Sequence, residues 1–337
     1  MPPLRRHLLI ILMLVLLTLA GLGLAFWAVN SSWLVGPSES GVTKVLAHRG
    51  LHQADAGHQT GTDPETEECR ARRIAPVTHE HIANTLPSIR AAVTAGADVV
   101  ELDVQMTADG HFAVFHDLML DCQTDGTGRI RAATFAQLRQ LDLGHGFTSD
   151  GGGSYPLRGT GRGLMPSLTE VLMADPAVPL LINLKSDDPA EGLALAALLE
   201  RPEWRDRVLG VFGPAGSTQA ALGALPGLRG YDRQQVVDCL KPYAAIGWLG
   251  RVPEACHDTL IVVPISHVRW LWGWPHRFTR RMHAHGTEVI LLGPWDSSEQ
   301  VRGIDSAEAL ARVPVGFDGY VWTDRIDIVG PLLAARR

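Results

Sequence analysis

Short apolar runs alternate with helical patterns along most of the chain. These runs lie at 44–47, 99–104, 180–184, 208–212, 259–265, 288–292 and 319–323. Strands that alternate with helices pair in parallel, because each crossover helix returns the chain to the same end of the sheet. Seven or eight such units predict an α/β fold, a (β/α)8 TIM-type barrel with small insertions. The alternative is a doubly wound sheet, but no Gly-x-Gly-x-x-Gly follows the first strand.

The run Val99–Val104 is the most informative of these strands. Glu101 and Asp103 are two residues apart, so they share one face, while the apolar residues between them occupy the other. Adjacent carboxylates repel each other unless a cation or a proton lies between them. Hard divalent cations take oxygen ligands. The pair therefore indicates either a metal site or a strand with one solvated face.

Several helix boundaries are marked by capping residues. Asn84 is the expected N-cap of a helix over 84–95 that ends at Gly96. The pattern Ser167-Leu168-Thr169-Glu170 is typical of a capping box that begins a helix over 168–174. An Ala- and Leu-rich helix is predicted around 189–200. A strand over 112–115 follows the turn signal Ala108-Asp109-Gly110, which leaves room only for a hairpin connection.

The N-terminus is the most apolar part of the chain. Residues 8–29 carry no charge over 22 positions, which is longer than the core of most signal peptides. Arg5 and Arg6 precede this run and Lys44 is the next basic residue, so the positive-inside rule places the rest outside. We predict a single-pass transmembrane anchor in residues 1–30, with a cleaved signal sequence as the alternative. The expected location is the cell membrane, with an exocytoplasmic (periplasmic or extracellular) catalytic domain.

The remainder divides into a linker at 31–43 and a barrel at 44–330, with insertions at about 51–81 and 118–164. Beyond residue 30 there are 28 basic and 36 acidic residues, a balance of −8 that argues against nucleic acid as a partner. Four cysteines in an exported domain allow two disulfides. Pairing by sequence proximity predicts Cys69–Cys122 and Cys239–Cys256; the alternative is four unpaired thiols.

Ionisable and polar side chains lie at the predicted strand ends, where barrel enzymes have their active sites. They are His48-Arg49, Glu101-x-Asp103, His116-Asp117, Asn183-x-Lys185 and Thr323-Asp324. Two imidazoles, a cation site and two fixed positive charges are what phosphate-ester cleavage requires. Lys185 is notable because the chain has 27 Arg and only three Lys. In so Arg-rich a chain, a Lys at a strand end indicates that the compact charge of the ammonium group has a role there.

In this order the motifs resemble those of the glycerophosphodiester phosphodiesterase family. The matching segments are His48-Arg49-Gly50, Asn84-Thr85-Leu86, Glu101-Leu102-Asp103-Val104, Asp109-Gly110, Val114-Phe115-His116-Asp117 and Asp318–Asp324. The resemblance implies a barrel, a divalent cation (Ca²⁺ or Mg²⁺), and hydrolysis of glycerophosphodiesters to glycerol 3-phosphate and an alcohol. It also implies that His48 and His116 are the acid–base pair. Arg49 and Lys185 would bind the phosphate, and Glu101, Asp103 and Asn183 would bind the metal.

Two positions depart from the family pattern. Ala83 stands where the family usually has Glu before Asn-Thr, and Asn183 stands where it usually has a third acidic metal ligand. An amide oxygen still binds a hard cation, but with one negative charge fewer. Two other functions therefore stay open. One is phospholipase-D-like or lyase-type cleavage of lysophospholipids through a cyclic phosphate, and the other is a non-catalytic barrel that binds a lipid or sugar phosphate.

An aromatic and basic cluster lies late in the chain. It comprises Trp270, Trp272, Trp274, Phe278, Arg277, Arg280 and Arg281. In a membrane-tethered enzyme such a cluster suits contact with lipid. Ordinary packing around Gly273 and Pro275 is the alternative.

Overall fold

The computed structural model describes residues 3–37, 41–56, 69–295 and 302–336. Its strands are Lys44–Ala47 (β1), Val99–Met106 (β2), Phe112–Val114 (β3), Leu180–Leu184 (β4), Val208–Phe212 (β5), Gly230–Tyr231 (β6), Leu260–Pro264 (β7), Glu288–Leu292 (β8) and Tyr320–Thr323 (β9). Parts of two predicted segments, 38–40 of the linker and 57–68 of the first insertion, lie outside the described residues.

Eight parallel strands form a nearly closed barrel in the order β6-β5-β4-β2-β1-β9-β8-β7. The two ends of this path approach each other where the Thr259 hydroxyl donates to the Gly230 carbonyl at the start of β7. β3 lies outside the ring and pairs antiparallel with β2, as the hairpin-length connection predicts. The predicted barrel is confirmed. The two-residue strand β6 was missed because so short a run carries no periodicity.

The helices of the described residues mostly follow the strands and cover the outside of the ring, except for the N-terminal helix, which is exposed along most of its length. They are Pro3–Asn30 (α1), Leu86–Thr94 (α2), Phe135–Leu138 (α3), Leu168–Met173 (α4), Pro189–Leu198 (α5), Pro202–Arg205 (α6), Ala215–Ala224 (α7), Arg233–Ile246 (α8), His276–His283 (α9), Ala307–Leu310 (α10) and Ile326–Ala334 (α11). The capping box at Ser167 and Glu170 is confirmed. The prediction that Asn84 is an N-cap is wrong. Thr85 caps α2 by accepting from the Ser88 N–H, because Asn84 has a left-handed backbone with φ of 63°.

Three apolar clusters hold the domain together. The largest lies between barrel and helices, and it includes Val100, Leu102 and Val104 from the outer face of β2. A second fills the barrel interior with side chains such as Leu46, Leu181 and Trp322. Both faces of β2 are therefore buried. The alternative of a solvated strand face does not hold, and its carboxylates lie inside the ring.

The two predicted insertions pack together into one lobe with its own apolar cluster. The lobe joins residues near Cys69 to the segment 118–164 through the Cys69–Cys122 disulfide. The second predicted disulfide, Cys239–Cys256, is also present and links α8 to the turn before β7. The lobe lies against β3 because Ala113 and Phe115 contribute to its cluster. It therefore forms one wall above the carboxyl ends of the strands.

Helix α1 is long and apolar enough to span a membrane over residues 7–30. Its last turn contacts the barrel domain. Phe26 packs edge-to-face on Trp272 with ring centroids 5.7 Å apart, and Arg281 donates to the Val29 carbonyl at 2.8 Å. Arg277 donates to the Ala28 carbonyl at 3.0 Å. Part of the aromatic and basic cluster thus binds the end of α1.

Candidate active site

A cleft of about 490 Å³ lies at the carboxyl ends of the barrel strands. Arg49 after β1, His116 after β3 and Asp324 after β9 line it. The insertion lobe contributes Arg70 and Phe147 to the same walls. Because parallel strands end at one rim, residues far apart in sequence converge here.

Glu101 is a fully buried ionisable group of the site. It projects into the barrel from β2 and has no exposed surface. Its Oε2 accepts a hydrogen bond from the Arg49 backbone N–H at 3.1 Å. Its Oε1 is buried and has no hydrogen-bond partner among the described residues. Burial, reinforced by the neighbouring Asp103, raises the pKa of Glu101 well above its usual value.

Asp103 is buried as completely, but both of its oxygens are engaged. Oδ1 accepts from the Asn183 amide and Oδ2 from the Asn84 amide, each at 2.9 Å. Arg49 Nε is 3.0 Å from Oδ2, and Lys185 Nζ is 3.6 Å from Oδ1. Burial would raise the pKa of Asp103, but Arg49, with His116 and Lys185, outweighs it and holds the pKa well below its usual value.

The donor atoms of Glu101, Asp103 and Asn183 are of the chemical kind that a divalent cation prefers. Glu101 Oε1 is a buried carboxylate oxygen that receives no hydrogen bond from the part of the chain that the structure describes. The two carboxylates and the Asn183 amide group offer hard oxygen atoms. The Asn183 side chain turns its NH₂ toward Asp103. An amide flip exchanges the side-chain nitrogen and oxygen, which are similar in size, and would turn the Asn183 carbonyl oxygen toward Asp103 instead.

His48 is buried beside Trp322 and held by Asp324. Its Nδ1 pairs with Asp324 Oδ1, and its Nε2 lies 3.8 Å from Glu101 Oε2. Burial, with help from the Arg49 charge, lowers the pKa of His48 to about 4. The His48 contact in turn keeps the pKa of Asp324 well below its usual value, although burial alone would raise it. A carboxylate only accepts, so Nδ1 carries the proton and Nε2 has a free lone pair.

His116 also has its Nδ1 paired with a carboxylate. Its Nδ1 is 2.7 Å from Asp117 Oδ1. Burial and the Arg49 charge lower the pKa of His116 well below its usual value, and burial raises the pKa of Asp117 to about 6. Gln105, the next residue on the inward face of β2, donates to the Phe115 and Asp117 carbonyls at 3.0 and 2.9 Å. It fixes the turn that carries His116.

Arg49 has an unusual backbone that serves this geometry. Its φ is 60°, a left-handed value that is uncommon outside glycine and often found at functional sites. The Asn84 N–H and the Ser88 hydroxyl both donate to its carbonyl at 3.0 Å. Gly50, with φ of 79°, follows, and a Cβ there would lie 2.2 Å from Ser88 Oγ. These contacts direct the Arg49 amide to Glu101 and its guanidinium to Asp103.

Contacts at Glu101 and Asp103 link six of the seven predicted site residues, and the seventh, His116, lines the neighbouring cleft. Arg49, Lys185 and Asn183 contact Asp103, and His48 Nε2 lies 3.8 Å from Glu101. His116 helps to lower the pKa of Asp103. Sequence reasoning assigned no role in the site to Asn84, Gln105 or Arg70. The position of Gln105 could have been predicted from the sequence, because it lies two residues after Asp103 on the same face of the strand as the two carboxylates. Arg70 had none, because it reaches the cleft only through the fold of the insertion lobe.

Among the described residues, three side chains near the cleft have the spacing of a metal site. Ligand atoms of His48, His52 and Asp324 lie within 4.8 Å of one another. His52 Nε2 is 3.6 Å from Asp324 Oδ1. This mixed nitrogen and oxygen set shares His48 with the site already described and suits softer cations than Ca²⁺ or Mg²⁺.

Comparison with known proteins yields a consistent set of relatives. The model of the glycerophosphoryl diester phosphodiesterase family matches residues 76–208. A glycerophosphodiester phosphodiesterase of Caldanaerobacter subterraneus is 43% identical over 61 residues, which is 18% of this chain and 25% of that protein. One from Bacillus altitudinis is 32% identical over 131 residues, 39% of each chain. The chain thus matches well under half the length of these relatives.

A solved structure resembles the whole barrel. The phosphodiesterase of Oleispira antarctica, in complex with its product sn-glycerol-3-phosphate, superposes with a TM-score of 0.53. Its sequence is 20% identical, and the superposition covers 91% of this chain and 98% of that one. At this identity the likeness shows the fold.

Proposed function

We propose that the chain, whose residues 76–208 match the glycerophosphoryl diester phosphodiesterase family, hydrolyses a glycerophosphodiester to glycerol 3-phosphate and an alcohol. The observation that supports this most directly is the pair of imidazoles. His48 and His116 each have Nδ1 fixed by a carboxylate, and the Arg49 charge helps to lower the pKa of both imidazoles. That combination serves acid–base chemistry on an anion.

In the proposed reaction a water molecule attacks phosphorus and the bond to the leaving alcohol breaks. One imidazole accepts the proton of the attacking water at Nε2. The other, protonated when the anionic substrate is bound, donates a proton to the departing alkoxide oxygen. Arg49 and Lys185 hold the phosphoryl oxygens, since both already point a positive charge at the anionic Asp103.

Glu101, Asp103 and Asn183 are the proposed ligands of a divalent cation, Ca²⁺ or Mg²⁺. When bound, the cation would withdraw charge from the phosphoryl oxygens. Because Asn183 provides no charge, we expect weaker binding than a site with three carboxylates would give. The cation would also give the partnerless Glu101 Oε1 an interaction.

The proposed cellular setting follows from α1. We propose that residues 8–29 anchor the chain in the cell membrane and that residues 44–330 act outside the cytoplasm. The two disulfides support an oxidising compartment. Reporter fusions at each end of the chain would test the orientation.

The decisive experiment follows glycerophosphocholine by ³¹P NMR with the purified full chain and either Ca²⁺ or Mg²⁺. Hydrolysis gives glycerol 3-phosphate as the first product, whereas a cyclic phosphate would indicate attack by a substrate hydroxyl. The variants His48→Ala, His116→Ala and Glu101→Gln should each lose at least about a hundredfold in kcat. Activity that survives His48→Ala and Glu101→Gln would rule out this site.

A further inference from the structure

His52 has no part in the proposed hydrolysis, yet its ring faces the pair that His48 forms with Asp324. His52 Nε2 lies 3.6 Å from Asp324 Oδ1, and His48 Nδ1 pairs with the same oxygen. One ligand atom from each of the three residues lies within 4.8 Å of the others. His52 and Asp324 line the cleft, so a dissolved ion can reach them.

The hydrogen bonding of His52 fixes which of its ring nitrogens carries the proton. Its Nδ1 lies 2.8 Å from the Gln53 carbonyl oxygen, which only accepts, so Nδ1 is protonated and the neutral ring has its lone pair on Nε2. Nε2 is buried and has no hydrogen-bond partner in the part of the chain that the structure describes. A lone pair that faces a carboxylate oxygen is repelled unless a cation lies between them.

Both cleft-lining residues are held in place by further hydrogen bonds. The Gln53 amide donates to the His79 and His81 carbonyls, in each case at 2.8 Å, and so fixes the segment that follows His52. The Asp324 N–H donates to Asp305 Oδ1 at 2.7 Å. Hydrogen bonds of this kind orient metal ligands and set the tautomer of a ligating imidazole. The two ligand groups are therefore oriented before any ion binds.

The donor set indicates which ion would bind. Two imidazole nitrogens and one carboxylate oxygen suit Zn²⁺ better than Ca²⁺ or Mg²⁺, which prefer oxygen ligands alone. Zinc bonds of about 2.0–2.2 Å in a tetrahedron place neighbouring ligand atoms about 3.3–3.6 Å apart. The 3.6 Å between His52 Nε2 and Asp324 Oδ1 fits this spacing. The shorter contact between His48 Nδ1 and Asp324 widens when the ion replaces the proton between them.

We propose that His48, His52 and Asp324 form an inhibitory Zn²⁺ site, separate from the proposed Ca²⁺ or Mg²⁺ ligands Glu101 and Asp103. Zn²⁺ takes the Nδ1 lone pair of His48, so the single proton of the neutral ring moves to Nε2. His48 then cannot accept a proton at Nε2, and hydrolysis stops. This inference rests on the proposed hydrolysis and adds its regulation by a metal ion.

The binding test adds Zn²⁺ to the purified full chain in detergent while Mg²⁺ is kept in excess. Calorimetry gives the affinity and the number of sites, and X-ray absorption at the zinc edge identifies the ligands. His52→Gln removes one ligand. His111→Gln is the matched control, because the His111 side chain is 56% exposed and lies away from the cleft lining.

We expect wild type and His111→Gln to bind Zn²⁺ equally, with two imidazoles in its coordination shell. His52→Gln should bind it at least about tenfold more weakly, since even the loss of a residue that only orients a ligand has an effect of this size. Without Zn²⁺, kcat of His52→Gln on glycerophosphocholine should stay within about threefold of wild type, because His52 is not one of the acid–base pair. The Zn²⁺ concentration that halves this activity should rise at least about tenfold in His52→Gln.

Three results would overturn the proposal. The first is equal Zn²⁺ affinity in His52→Gln and His111→Gln. The second is full activity of the wild type with the site occupied. The third is relief of the inhibition by raising Mg²⁺, because Zn²⁺ would then be competing at Glu101 and Asp103. If the wild type does not hydrolyse glycerophosphocholine at all, the hydrolytic function has failed, and the comparison of Zn²⁺ affinities alone decides whether the site exists.

Discussion

Asp324 offers the sharpest test of how the site works. Its carboxylate accepts from His48 Nδ1 and so leaves the Nε2 lone pair facing Glu101. Asp324→Asn keeps the shape of the side chain but offers an NH₂ donor, which favours the tautomer with the proton on Nε2. That tautomer cannot accept a proton at Nε2.

The expected loss of kcat follows from how much a correctly protonated imidazole contributes to the rate. General acid–base catalysis contributes about 10²–10⁴ in rate, and an Asp-to-Asn change beside a catalytic His in a serine protease costs about 10⁴. We therefore expect kcat on glycerophosphocholine to fall about 10²- to 10⁴-fold in Asp324→Asn. This corresponds to about 3–5 kcal/mol of activation free energy.

The assay compares four proteins under the same conditions: wild type, Asp324→Asn, His48→Ala and the double variant. Because Asp324 acts through His48, its substitution should change nothing further once His48 is absent. Asp327→Asn is the control, because the Asp327 carboxylate pairs with Arg325 at 2.7 Å rather than with His48. Its activity should stay within about twofold of wild type.

Two results would refute the reasoning. One is a kcat in Asp324→Asn within about threefold of wild type. The other is a full additional loss when Asp324→Asn is added to His48→Ala, because that would show a role for Asp324 independent of the imidazole. Thermal unfolding of each variant separates either result from loss of fold.

Three further predictions follow from local geometry. Gly50→Ala should reduce kcat at least about tenfold and destabilise the fold by about 1–3 kcal/mol, because φ is positive there and the new Cβ would collide with Ser88. Gly110→Ala is the control, because Gly110 also has a positive φ but lies in open space. Kinetics and thermal melts of the two variants then separate the cost of the backbone conformation from that of the collision. Replacing the Cys69–Cys122 disulfide by serines should cost about 4 kcal/mol, against about 3 kcal/mol for Cys239–Cys256, since the sequence separations are 53 and 17; equal losses in urea unfolding would contradict the loop-entropy argument. Chelation with EDTA should lower turnover of glycerophosphocholine, and Ca²⁺ or Mg²⁺ should restore it; full activity after exhaustive chelation would contradict the proposed cation.

The pattern of the sequence determined the barrel, because alternating strands and helices have few ways to bury their apolar faces. It also determined which face of β2 carries the carboxylates, since a period of two is a local property of a strand. Both disulfide pairs followed from sequence proximity. The ends of the strands identified the residues that meet at Asp103, because parallel strands bring their carboxyl ends to one rim.

Only the tertiary structure decided how those side chains are paired. Asn84 appears in the sequence as a helix cap, yet a left-handed backbone turns its amide to Asp103 and leaves the cap to Thr85. Arg70 reaches the cleft through the insertion lobe, and Asp324 meets His48 across 276 residues of sequence. Hydrogen bonds and ion pairs act over about 3–4 Å in space, so contacts between distant segments leave no periodic trace in the sequence.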